Sequence, residues 1–109
     1  MGYINLSSPK YQIDRVQVIG SVWIDATTQT VYANVYYGYV VNNQFRALEA
    51  ISYGQSGERE FEPMERRGSV VLKGEDYQAY QNYVITMGPE TAVLKVLLDS
   101  NVISGTLVQ

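Results

Sequence analysis

The chain has 109 residues, 46% of them hydrophobic, and eight Lys/Arg against eleven Asp/Glu give it a net charge of −3. That length makes one domain, large enough to bury about two-thirds of its unfolded surface without a metal or a disulfide. Neither cysteine nor histidine is present, which excludes disulfides, thiolate nucleophiles, cysteine-based metal sites and the commonest general base, and the acidic balance argues against duplex DNA or RNA, whose phosphates need clustered Lys and Arg.

Residues 1–10 contain Ser7-Ser8-Pro9 and no sustained period. They read as an N-terminal arm, either a loosely packed terminus or an extended segment that pairs with a neighbouring subunit. No charged region followed by an apolar core marks a signal peptide, and Leu6 stands where a myristoylation motif needs Ser or Thr. No apolar run approaches the roughly 18 residues of a membrane span, so no membrane partner is expected. Residues 11–109 read as a single β-rich domain.

The stretch from Val16 to Tyr53 predicts three antiparallel strands. Val16, Val18, Gly20, Val22 and Ile24 share one face of the first, which ends near Asp25. Val31, Ala33, Val35, Tyr37, Tyr39 and Val41 share one face of the second, about Thr30 to Val41. A four-residue loop, Ala26-Thr27-Thr28-Gln29, sets Ile24 opposite Val31, Val22 opposite Ala33, Gly20 opposite Val35 and Val18 opposite Tyr37. Asn42-Asn43 closes a tight hairpin, because asparagine tolerates the positive φ of a two-residue turn. The third strand, Gln44 to Tyr53, then pairs back with Tyr37 facing Leu48 and Val35 facing Ala50.

On the opposite face the same register lines up Trp23, Tyr32 and Tyr53, and also Ile19, Tyr36 and Glu49, with Val40 opposite Phe45. A solvated sheet face should be polar. This one is mixed and rich in aromatics, so either other elements of the chain or a partner surface cover part of it. Ten tyrosines suit half-buried sheet surfaces and interfaces alike.

Residues 54–69 carry seven charges, three glycines and a proline without an apolar period, and predict a long charged loop. Glu58, Glu60, Glu62 and Glu65 are interleaved with arginines and match no calcium-loop spacing, so a salt-bridged surface is expected rather than a cation site. Phe61 and Met64 are anchor candidates within it. Val70 to Lys73 predicts a short strand. After Gly74, Glu75 and Asp76 open a helix whose stripe is Tyr77, Tyr80, Val84 and Met87, stopped by Gly88-Pro89. Residues 89–99 begin like a helix, with Pro89 and Glu90 first, yet the nearly continuous apolar run of 90–99 also fits a buried strand. Ser100-Asn101 reads as a turn and Val102 to Val108 as a final strand. The expected fold is α+β and β-dominated: the meander, further short strands, and one or two short helices.

The chemistry that a catalyst needs is not visible. There is no phosphate-binding Gly-rich loop and no dinucleotide fingerprint. Asp14, Asp25 and Glu49 are strand-end acids that nothing pairs into a cleft. No enzyme, cofactor or metal is expected. The interface candidates are Trp23, Tyr32, Tyr36, Tyr53, Phe61 and Met64, since Trp and Tyr supply large rigid contact area.

The segment Val70-Val71-Leu72-Lys73-Gly74-Glu75-Asp76-Tyr77-Gln78-Ala79-Tyr80, a short strand followed by Gly-acid-acid-aromatic opening a helix, resembles small structural proteins of tailed bacteriophages. The resemblance implies a virion component (capsid decoration, neck, tail or baseplate), located in the particle and partnered by copies of itself and other virion proteins. The alternative reading is a monomeric glycan- or peptide-binding module built on Trp23, Tyr32 and Tyr53, with Asn34 and Asp25 as its polar neighbours.

Overall fold

A computed structural model describes residues 2–10, 13–54 and 69–108, with the side chains of 7–10 excepted. The architecture is α+β and sheet-dominated. Six strands form one antiparallel sheet: β1 (Tyr3–Lys10), β2 (Ile13–Asp25), β3 (Thr30–Val41), β4 (Gln44–Ala50), β5 (Val70–Leu72) and β6 (Gly105–Val108). The spatial order is β4-β3-β2-β1-β6, with β5 paired to β3 beside β4. Two helices, α1 (Glu75–Met87) and α2 (Pro89–Asp99), lie on one face of the sheet.

The helices cover the apolar face of the meander along most of its length. Val16, Val18, Val31, Ala33 and Val35 join Val70, Leu72 and the inner sides of both helices in a single apolar core. In α1 the stripe buries Tyr77 and Tyr80, with Val84 packed at its margin. Residues 90–99 are helical, and α2 buries Thr91, Ala92, Val93, Leu94, Val96 and Leu97. That resolves their double reading: a helix enclosed between sheet and α1 needs apolar residues nearly all round, so its stripe widens into a run.

In the two hairpins of β2, β3 and β4 the registers depart from simple pairing at one bulge each. Beside the first hairpin, Ile24 lies opposite Val31 and Trp23 opposite Tyr32, as expected. Further along, Val18 faces Val35 and Val16 faces Tyr37, because Gly20, Ser21 and Val22 together span the single residue Ala33. Gly20 sits at φ +77°, where a side chain is strained. Two extra residues preserve strand parity, so the buried face survives the shift. In the second hairpin Asn42 and Asn43 both take positive φ, and Val40 meets Phe45. Beyond Gly38–Ala47 one extra residue, Leu48, sets Tyr37 opposite Glu49 and Tyr36 opposite Ala50. The expected pairs Tyr37–Leu48 and Val35–Ala50 are therefore displaced, and Ile19, Tyr36 and Glu49 do not form a row.

Other expectations are corrected. Residues 3–10 are not a separate arm: β1 pairs with β2 and with β6, and its Ile4 is fully buried. A Cβ on Gly2 would come within 2.5 Å of the Thr91 hydroxyl, so the chain start lies tight against α2. The third strand ends at Ala50 rather than Tyr53, because β5 takes the remaining edge of β3, pairing Leu72 with Val31 and Val70 with Ala33. The last strand is shorter than expected, starting at Gly105. The body of the charged loop, residues 55–68, lies outside the described residues.

Candidate interaction surface

Ser69 organises the point where β3 exchanges one neighbour for another. At Ile51 the ladder with β4 closes with a bond to the Val35 carbonyl (2.8 Å), and the chain then crosses to the far side of β5. This leaves the Val35 N–H without a strand carbonyl, and the buried Ser69 hydroxyl accepts it at 2.9 Å. Ser69 N–H in turn donates to the Asn34 side-chain oxygen (3.1 Å), and Tyr53 N–H donates to the Ser69 carbonyl (3.0 Å). Val71 N–H donates to the Tyr53 carbonyl (2.8 Å). Residues 54 and 69 thus leave the sheet from a hydrogen-bonded neck.

Tyr53 faces the helices, and this separates it from Trp23 and Tyr32. Its parallel bridge to Val70 puts its side chain on the core side, where its hydroxyl donates to Asp76 at 2.5 Å. That hydrogen bond is the main reason the Tyr53 phenol ionises above its ordinary range; a hydrogen bond with Ser100 opposes it, while burial and the Asp76 charge add to it. Tyr83 donates likewise to Asp99, which also holds Lys95 in an ion pair at 3.0 Å. The Tyr83 phenol is raised by this bond, and the Asp99 carboxyl is lowered by it. Burial raises Tyr80, whose hydroxyl is enclosed in the core and has no hydrogen-bond partner among the described residues.

The sheet face turned from the helices carries the remaining candidates. Trp23 and Tyr32 are paired there with Val71 next in line. Trp23 is 36% exposed and Tyr32 only 7%. Ile19, at 39%, lies across from Asn34, and half-buried Tyr36 lies between Gln17 and Ala50. The Phe45 ring lies over Gly38, where a Cβ would be 2.7 Å from it. Arg15 stacks its guanidinium 3.6 Å from the Tyr3 ring centroid. No described helix or strand covers the part of this face around Ile19, Tyr36 and Phe45, whereas Tyr32 and Val71 are buried at its β5 end. At its hairpin end an open cleft of about 330 Å³ is lined by Trp23, Tyr32, Ile24 and the Asp25–Thr28 loop. Asp25 shapes that loop by accepting the Thr27 and Thr28 amides at 3.0 and 3.3 Å. Phe61 and Met64 lie outside the described residues.

The sequence placed β4 as a strand but offered none of its residues as a candidate surface. This strand forms one end of the sheet and is largely exposed, with Leu48 at 57%. Its signal was present in the Arg46–Glu49 spacing, but only the bulge gives that spacing meaning. Among the described residues no cluster of three or more Asp and Glu is placed to hold a metal ion, and no helix is long and apolar enough to cross a membrane.

A six-stranded antiparallel sheet backed by a helix pair defines a sheet-dominated α+β domain. The chain matches no protein-family model, no curated protein sequence and no solved structure.

Proposed function

We propose that this chain is a non-catalytic structural subunit that associates with copies of itself, as a component of a tailed-phage particle. The observation that carries the reading is the sheet face opposite the helices, where Ile19 and Trp23 stay exposed beside half-buried Tyr36, Val40 and Phe45. Such a face, with aromatic and apolar residues interleaved with Gln17 and Asn34, supplies the large rigid contact area that interfaces use. The likeness of residues 70–80 to phage structural proteins supports the particle setting. Replacing Ile19 and Trp23 together by Ser tests it: the variant keeps its circular dichroism and loses the higher-mass species in light scattering. Unchanged mass removes this face from the account.

The cleft at Trp23 supports a second reading, a glycan- or peptide-binding module. A ring beside a carboxylate and two threonines presents the apolar and polar partners that a sugar requires. A panel of soluble glycans and peptides then quenches Trp23 fluorescence; no response sets this reading aside.

A further inference from the structure

We propose that β4 is an assembly edge, pairing antiparallel with β4 of a second copy in a two-fold register fixed by Arg46 and Glu49. The inference rests on the self-association reading and specifies its contact. β4 has β3 on one side, and among the described strands no neighbour on the other. Val41 and Gln44 flank a two-residue turn, so they exchange both hydrogen bonds, and alternation turns the backbone groups of Phe45 and Ala47 outward. The Ile51–Val35 bond, reached after the bulge, agrees with that alternation.

The charges select the register. In a regular strand residues three apart point to opposite faces. Here Leu48 is the extra residue, so Arg46 opposite Tyr39 and Glu49 opposite Tyr37 share one face. Neither makes an ion pair within the described chain. When two β4 strands run antiparallel about a two-fold axis between Ala47 and Leu48, Arg46 stands opposite Glu49 of the partner subunit, and Glu49 opposite its Arg46. Ala47 and Leu48 then meet at the centre, and Phe45 faces Ala50. A shift by one residue in either direction breaks both ion pairs. An isologous contact needs this self-complementarity, and opposite charges directly across strands favour the pairing. Exposed Leu48 is buried at the axis.

The test is a charge swap read by mass and by amide exchange. Arg46→Glu and Glu49→Arg each place like charges across the axis and weaken association at least tenfold at low salt. The double variant R46E/E49R restores it. Circular dichroism checks that each variant folds. In the associated wild-type protein the outward amides of Phe45 and Ala47 gain hydrogen-exchange protection that is lost on dilution. If the wild-type protein associates but the swaps leave its mass unchanged, Arg46 and Glu49 merely guard a free edge, and the edge proposal falls while self-association stands. If the wild-type protein is monomeric at every concentration, both fall.

Discussion

Replacing Ser69 by Ala removes one oxygen from the strand junction, and the structure sets the size of the consequence. The Val35 carbonyl keeps its bond from Ile51 N–H, so no acceptor is orphaned. The Val35 N–H, held at 2.9 Å by the hydroxyl, loses its acceptor beneath a fully buried side chain. An unsatisfied buried donor costs about 1–3 kcal/mol. Unfolding entropy near ~2.1 cal/mol/K per residue makes 1 kcal/mol worth about 4 °C in a domain of this length, so Tm should fall by about 4–13 °C. Thermal melts by circular dichroism measure this, with urea midpoints as a second route. Amide exchange at Val35 should quicken more than at Val31 or Ala33, since only Val35 loses its partner. A Tm within about 2 °C of wild type, corresponding to less than ~0.5 kcal/mol, would refute the idea that this hydroxyl replaces a strand carbonyl.

Four further outcomes follow from the same geometry. Tyr80→Phe removes a buried hydroxyl that has no partner among the described residues and should raise stability by about 1 kcal/mol in urea unfolding; a loss of that size would mean that the hydroxyl is bonded. A Cβ on Gly20 meets nothing within 4 Å, so Gly20→Ala should cost about 1 kcal/mol through positive-φ strain alone, and Gly20→Val more; a neutral result would show that the bulge readily relaxes. In an ultraviolet pH titration Tyr53, Tyr80 and Tyr83 should ionise above the ordinary value of 10.0. The folded chain holds these protons more tightly than the unfolded chain, so their contribution is intact below pH 10 and is lost as pH rises through the folded values. Asp76→Asn should return the Tyr53 ionisation toward 10.0, because the Asp76 bond is its largest cause. Finally, the backbone bonds among Tyr53, Ser69 and Val71 hold the two ends of the 55–68 segment together, so replacing that segment by a short Gly-Ser linker should leave a cooperative thermal transition; a broad melt would show that it holds the domain together.

The hairpins were legible because local residues determine them. Asn42-Asn43 and the Ala26–Gln29 loop fix their nearest pairs through turn geometry, and period-two alternation sorts the residues into two faces; both carry apolar and aromatic residues, so which of them meets the helices was not legible. What alternation does not encode is an added residue. The bulges at Gly20–Val22 and Leu48 shift the far ends of two hairpins, and Leu48 alone brings Arg46 and Glu49 to one face. The position of Tyr53 was hidden for a different reason: β5, remote in sequence, takes the edge of β3 where an unbroken third strand would have run. β1 was missed because its core contacts, Ile4 and Leu6, are too few to declare a period. Ser69 looked like the end of a polar loop, and only the departure of β4 at Ile51 makes it a strand-junction residue.

The most direct test of self-association is the solution mass by light scattering on a sizing column, followed from micromolar to near-millimolar concentration. The account predicts a species of at least twice the 12.3 kDa chain mass that grows with concentration into one defined assembly. A constant monomer mass across that range would contradict it.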